Sequence, residues 1–263
     1  KVSPIDQKAK LCYLLKYLIS ERPQYKSLMM TNNYSELRQL LRAMMNTREP
    51  APLSAEFLQI QDQFLQEEQQ TKTITSAKDI PTSSRYPRLA IWRGDITTLQ
   101  ADAIVNAANS SLLGCFIPCH NCIDNAIHSA AGLQLREECY QIMNAQGHQE
   151  ATGQAKITKG YNLPATYVIH TVGPIVEDIP TDKDIQLLAS CYSSSLQIAQ
   201  ERQLATIAFC CISTGVFHFP QQQAAEIAVH TVLDYLDKHQ YPQKVIFNVF
   251  TDSDEKIYQQ LLA

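Results

Sequence analysis

From residue 86 onward the sequence predicts an α/β fold, a largely parallel sheet with helices on both faces, preceded by a helical N-terminal extension over residues 1–85. Two patterns carry that expectation for the main body. Short apolar runs rich in β-branched and aromatic residues recur at RLAIW (88–92), DAIVN (102–106), TYVIHTV (166–172), TIAFCCI (206–212) and KVIFNVF (244–250). Helical stretches lie between them, near 124–145, 185–202 and 221–239. Strands separated by crossover helices pair in parallel and are covered on both faces.

A third pattern marks the extension. Leu11, Leu14, Leu15 and Leu18 recur at helical spacing, as do Leu37, Leu40, Leu41 and Met44, and then Phe57, Ile60 and Phe64. Each group makes one apolar stripe on an otherwise polar segment, so each needs a partner surface. The stretches NTREPAPLS and IPTSSRYP punctuate them. We therefore expect two or three helices docked onto a main body that starts near Tyr86, packing without chemistry of their own.

Composition narrows the function classes. Of 263 residues, 45% are hydrophobic and 18% charged, which excludes a wholly disordered chain. The formal net charge of −4 argues against a basic surface built for nucleic acid or anionic membrane, and no basic stretch is interleaved with aromatics as RNA binding would ask. No apolar run approaches the roughly 18–20 residues needed to cross a bilayer. The opening stretch KVSPIDQKAK has neither an apolar core nor a small-residue cleavage site, and does not read as a signal peptide. The eight cysteines (Cys12, Cys115, Cys119, Cys122, Cys139, Cys191, Cys210 and Cys211) are too few and too unevenly placed for a disulfide scaffold. Cys210 and Cys211 sit in an apolar run as expected core residues. A reducing cytoplasm is the expected setting, where thiols stay available to a metal.

In open parallel sheets ligands bind beyond the carboxyl ends of the strands. That directs attention to the loops after AIVN and after AFCCI, and neither contains lysine or arginine. From Gly94 to Leu135 the only basic side chains are His120 and His128, and from Ala205 to Asp237 only His218 and His230. A phosphate there must be held by backbone N–H groups and helix N-termini. The loop STGVFHFP suits that role: Ser213 and Thr214 supply hydroxyls, Gly215 allows close backbone approach, and Pro220 presets the next helix. Alone it is equally a plain strand-to-helix turn. Neither a Walker loop nor a Gly-x-Gly-x-x-Gly fingerprint is present.

Three segments in order, WRGDITTLQADAIVNAANSSLLG (92–114), TGQAKITKGYNLPATYVIHTVGP (152–174) and ISTGVFHFP (212–220), resemble the macrodomain, an ADP-ribose-binding module, and within it the branch that removes ADP-ribose from modified proteins. The resemblance covers roughly residues 86–263. It implies a three-layer α/β/α fold with a mixed, mostly parallel central sheet. One departure stands out. Where the common form has a glycine run ending in Asp before a helix, this chain has CFIPCHNCID, with three cysteines and a histidine inside eight residues. That loop is similar to the zinc-containing macrodomains of microbes, and matches their pattern at Gly114, Cys115, Phe116, Pro118, His120, Cys122, Ile123 and Asp124. A short N-terminal helical region is also frequent among such members.

The resemblance implies Zn²⁺ held by Cys115, His120 and Cys122, a donor set that suits zinc and leaves the fourth position open, as a catalytic site requires. Cys119 is the alternative fourth ligand, which would close the site into a structural Cys₃His knot. By the same resemblance Asn109 orients the distal ribose and Asp124 serves as base or water-positioner, a role compatible with capping the 124–145 helix. Asp95 accepts from the adenine amino group and Ile96 lends a backbone N–H. Ser213, Thr214, Gly215, Val216 and Phe217 form the diphosphate loop, in which His218 stands where glycine is usual. Phe217 and Phe250 pack on the distal ribose and the adenine, or else in the core, and His128 and His170 are structural. The implied activity is zinc-dependent hydrolysis of mono-ADP-ribose from protein, with an ester to an acidic side chain as the linkage. The implied partners are ADP-ribose and an ADP-ribosylated protein, foremost a lipoate-carrier protein modified by a sirtuin-type ADP-ribosyltransferase. The rival readings are a non-catalytic reader of ADP-ribose and an O-acetyl-ADP-ribose deacetylase.

Overall fold

A computed structural model describes residues 4–263; residues 1–3, which begin the stretch read against a signal peptide, lie outside the described residues. The extension forms three helices, α1 (Pro4–Glu21), α2 (Tyr34–Thr47) and α3 (Ala55–Gln70). Asn33 and Ser54 cap the second and third, their side chains accepting from the N–H of Glu36 and Phe57. The stripes face one another: Leu11, Leu14, Leu15, Leu18, Leu41, Phe57 and Phe64 are all buried in one cluster, which Leu133 joins from the main body.

After α3 follow β1 (Thr75–Ser76), still within the extension, and then β2 (Leu89–Arg93), β3 (Leu99–Gln100), β4 (Ala103–Ala108), α4 (Ile123–Ala131), α5 (Leu133–Gln146), β5 (Ala155–Lys159), β6 (Tyr167–Val172), α6 (Asp182–Glu201), β7 (Thr206–Phe209), α7 (Gln221–Leu236), β8 (Lys244–Val249) and α8 (Asp252–Leu262). Six strands form the central sheet in the order β2-β8-β7-β4-β6-β5, parallel except for β5, which runs antiparallel to β6. The short β1 and β3 pair separately. Helices cover both faces, with α6, α7 and α8 side by side and α4 packed on α5. The result is the expected three-layer α/β/α architecture with a mixed, mostly parallel sheet. No described helix is long and apolar enough to cross a membrane.

Four local expectations are corrected. The helix expected over 124–145 is two helices, because Gly132 takes φ 101 between α4 and α5. Only glycine reaches that backbone easily, and a Cβ there would stand 2.7 Å from Gln61 Nε2 of α3. The N-cap of α4 is Cys122 rather than Asp124: its sulfur accepts from the Asn125 N–H at 3.4 Å. Strand β5 and helix α8 were not expected at all. β5 (AKITK) carries two lysines among five residues and buries only Thr158.

Behind β4 lies a buried polar chain. Asn106 Nδ2 donates to Asp124 Oδ1 at 2.8 Å and faces His170 Nδ1 at 3.2 Å, while His170 Nε2 is 2.9 Å from Thr158 Oγ1 and 3.9 Å from Cys139 Sγ. The ring of His128 lies tilted at 51° to that of His170, 6.0 Å away. Burial pushes His170 down to about 3 and His128 well below the usual imidazole range, so both are neutral. Burial likewise lifts Cys210 to about 12, as befits a core thiol.

Two outcomes follow. Gly132→Ala should lower unfolding stability by about 1–3 kcal/mol through backbone strain, read as a reduced denaturant midpoint; an unchanged midpoint contradicts the account of the helix break. For His170, the unfolded chain takes up a proton below about pH 6.5 that the folded chain refuses until about pH 3. Stability from this residue is therefore full above pH 6.5 and falls as pH drops, by up to ~1.4 kcal/mol per pH unit. Thr158, Asn106, Cys139 and His128 face its ring and are retained in His170→Gln, so that variant should show a flatter acid decline than wild type. Parallel declines would show that His170 is not the group responsible.

Candidate active site and metal-ligating loop

Because β2, β8, β7 and β4 are consecutive and parallel, their carboxyl ends share one edge of the sheet. Asp95 follows β2, Phe250 follows β8, residues 213–217 follow β7, and Asn109 follows β4. The sequence-derived residues therefore fall along that edge in a definite order.

At the β2 end, Asp95 caps a single 3₁₀ turn, its Oδ1 accepting from Thr97 N at 2.9 Å and Thr97 Oγ1 at 2.7 Å, and Ile96 behind it is buried. Phe250 is 75% exposed, so its alternative as a core residue is excluded. Beside Asp95 lies a cavity of about 130 Å³ lined by Arg38, Arg42, Gln69 and Lys72 of the extension together with Thr97 and Ser129. The extension thus brings cations to an edge whose own loops have none.

The 213–217 loop is a turn held from within. Thr214 Oγ1 donates to Cys211 O, Phe219 N to Ser213 O, and Val176 N to Phe217 O. Ser213 (φ 66) and His218 (φ 62) take the left-handed backbone, so His218 meets a conformation that glycine would take readily. A Cβ at Gly215 would meet nothing within 4 Å, so its backbone is open on that side, whereas Gly173 is closely packed, its Cβ colliding with Ser213 Oγ. That hydroxyl is buried and unpartnered among the described residues. Val216 is 65% exposed and Phe217 half-buried.

Asn109 sits at the other end of the edge. Its Oδ1 accepts from Ser111 N at 3.1 Å and Ser111 Oγ at 2.6 Å, and its Nδ2 donates to Gly114 O at 3.1 Å. Asn109 therefore shapes the turn after β4, and its Nδ2 ties it to the residue before Cys115. In the loop that follows, one donor atom each of Cys115, His120 and Cys122 lies within 4.8 Å of the others. His120 Nδ1 is buried without a hydrogen-bond partner. Burial, with Cys115 close by, lifts the Cys122 thiol to about 11, so a cation entering here displaces protons. As the N-cap of α4 this sulfur also meets the positive end of the helix, which favours its thiolate once formed. Two thiols and an imidazole with an orphaned ring nitrogen fit a soft divalent ion such as Zn²⁺. Cys119 is outside the group: it is exposed, and its sulfur donates to Gln39 O of α2 at 3.4 Å.

A second set, His128, Cys139 and His170, also lies within 4.8 Å and is wholly buried. It suits an ion poorly. Asn106 Nδ2 occupies His170 Nδ1 as a donor, which leaves the ring proton on Nε2, toward Thr158 and Cys139. That arrangement fits a structural His170, whereas both ring nitrogens of His128 are buried without a hydrogen-bond partner among the described residues. Asp124 is buried at the base of the Cys/His loop, with Oδ1 accepting from Asn106. Sequence reasoning missed Arg136, a buried guanidinium that donates to Leu113 O at 2.6 Å and Cys115 O at 3.2 Å. The sole hint was its position as the first cation after a long stretch without one.

Residues 105–228 match the Macro domain family. The chain is 51% identical over 261 residues to a protein of Treponema medium named Protein-ADP-ribose hydrolase, covering 98% of this chain and 100% of that protein. It is 45% identical over 242 residues to a Fusarium oxysporum f. sp. cubense protein named Probable bifunctional ADP-ribose hydrolase/ADP-ribosyltransferase, covering 85% of this chain and 40% of that one. Among solved structures it is similar to the Trypanosoma brucei macrodomain in complex with ADP-ribose, with 30% identity and a TM-score of 0.66 over 84% of this chain and 95% of that chain. The full-length match reaches through the helical extension as well as the sheet. On this fold and these relationships, the chain belongs to the macro domain family.

Proposed function

We propose that this chain is a zinc-dependent protein-ADP-ribose hydrolase that cleaves mono-ADP-ribose from an ester to an acidic side chain. The observation that carries the reading is the convergence of Cys115, His120 and Cys122 one residue beyond the Gly114 carbonyl that Asn109 holds. The relative named as a hydrolase over its whole length supports the hydrolase part of this reading, and the neighbour solved with ADP-ribose supports the ligand.

The order of residues along the sheet edge suits ADP-ribose laid from β2 to β4. Asp95, Ile96 and Phe250 receive the adenine, and Ser213, Thr214, Gly215, Val216 and Phe217 the diphosphate. The latter is bound by backbone N–H groups and the free Ser213 hydroxyl rather than by cations. Asn109 then orients the distal ribose beside the Cys/His loop. Zn²⁺ bound by Cys115, His120 and Cys122 would supply Lewis acidity toward a ribose hydroxyl, the attacked oxygen or a water. Asp124 positions the attacking water and takes its proton on a carboxylate oxygen, while Asn106 fixes that carboxylate from behind. The ester carbon–oxygen bond at the anomeric carbon breaks, and the carboxylate departs on the protein. In this reading residues 86–263 hold the substrate and residues 1–85 back the loop. A lipoate-carrier protein modified by a sirtuin-type ADP-ribosyltransferase is the partner. The Fusarium relative, named for both a hydrolase and a transferase, supports such a pairing of activities.

Incubation with an ADP-ribosylated protein tests this. Asn109→Ala and Cys115→Ala should each lower turnover by about tenfold or more, with unfolding midpoints near wild type, and chelator-stripped, folded chain should be similarly slow. Binding of the conjugate without release of ADP-ribose by wild type would favour the reader; wild-type turnover in both variants would refute the residue assignment.

A further inference from the structure

We infer that the helical extension is part of the active site: Asn46 and Arg136 fasten the metal-ligating loop to the last turn of α2 and thereby set the placement of Cys115, His120 and Cys122. The inference rests on the metal reading above and gives the extension a role that the sequence left as packing.

The loop needs such support. It runs from Cys115 to Cys122 with only one internal turn bond, His120 N to Ile117 O at 3.2 Å. Directly before His120 stands Cys119 with φ 53, a backbone that costs a non-glycine residue about 1 kcal/mol or more and persists only where neighbours fix it. The neighbours are in α2. Cys119 N donates to Asn46 Oδ1 at 2.9 Å and its sulfur to Gln39 O. Asn46 is 2% exposed and also donates through Nδ2 to Ser129 Oγ of α4 at 3.0 Å, so one side chain spans extension, loop and helix.

Arg136 closes the other side. It is 4% exposed, donates to Cys115 O, and donates to Met45 O at 3.2 Å, Asn46 O at 2.7 Å and Arg48 O at 3.0 Å. Its guanidinium lies 3.9 Å from the centroid of the Phe116 ring. A buried cation is tolerable here because the carboxyl end of α2, the negative end of a helix, supplies its acceptors. Between these anchors, Asn125 Nδ2 holds Ile117 O at 3.0 Å, and Arg42 of α2 donates twice to Asn125 Oδ1, at 3.1 and 2.8 Å. Residues 115, 116, 117 and 119 are therefore each tied, directly or through one side chain, to α2. A free loop would lose that conformational entropy on gathering its three ligands; a fastened one has lost it already. Asn46 and Arg136 are positioning residues, acting through the loop.

Cobalt(II) titration of the full, reduced, metal-free chain reads the loop without reference to turnover, since thiolate-to-cobalt and ligand-field absorption report affinity and geometry. Asn46→Ala should weaken cobalt binding by roughly tenfold or more and alter the ligand-field bands. Asn46→Asp keeps an acceptor for Cys119 N–H and should recover most of the affinity. Arg42→Met, milder for folding, should weaken binding several-fold. Glu68→Gln, which breaks the Arg38–Glu68 pair between α2 and α3, perturbs the extension away from the loop and should bind as wild type. Wild-type affinity and spectrum in Asn46→Ala, or in Arg42→Met should the former not fold, overturn the inference. An unaltered chain that shows no thiolate-to-cobalt absorption overturns the metal reading itself, and this one with it.

Discussion

Parallel pairing of β4 with β7, in the register Ala103↔Ile207, Ile104↔Ala208 and Val105↔Phe209, is the constraint on which the site depends. It sets two loops side by side that are separated by about a hundred residues of sequence. One is built around Asn109 and the cysteines, the other around Ser213. Neither has a cation of its own, and neither is a site alone. Placed together at the carboxyl edge, beside the ends of β2 and β8, they form a continuous line of polar backbone ending in soft ligands.

The electrostatics of that line are unusual for a nucleotide diphosphate. Its donors are N–H groups, hydroxyls and an amide, so affinity must come from geometry rather than net charge. The Cys/His loop extends the same logic. Two thiolates formally balance a divalent ion, and the imidazole adds no charge. An ion held there raises no strong local field against an anionic or a neutral substrate. Around the cavity beside Asp95 the cations are Arg38, Arg42 and Lys72 of the extension, and behind the Cys/His loop the buried Arg136. The extension therefore contributes twice, with charge near Asp95 and with fixed acceptors and donors behind the loop.

Much of this was legible in the residues. The three apolar stripes gave three helices because nothing else could bury Leu11, Leu41 or Phe64. The strands with continuous β-branched runs were visible for the same reason, being buried on both sides. β5 was not visible, since Ala155–Lys159 at the sheet edge buries one side chain and has lysine at two of its five positions. The break at Gly132 was hidden because the apolar pattern runs on from Ile127 and Ala131 before it to Leu133 and Leu135 after it. Cys122 as a helix cap escaped notice because sulfur seldom plays that part. The grouping of Cys115, His120 and Cys122 was readable through its resemblance to a loop pattern, whereas Asn46 and Arg136 were not. Their partners lie 73 and 21 residues away along the chain, and only the docked fold reveals them.

The central claim is spatial: an ion held by Cys115, His120 and Cys122 adjoins the distal sugar of ADP-ribose. Anomalous scattering at the zinc edge from crystals grown with ADP-ribose tests it most directly. The account predicts one strong peak among those three side chains, with a distal ribose oxygen about 2.0–2.2 Å from it and the adenine near Asp95 and Phe250. A peak elsewhere, no peak, or a nucleotide bound with its adenine at the Cys/His loop would contradict the account.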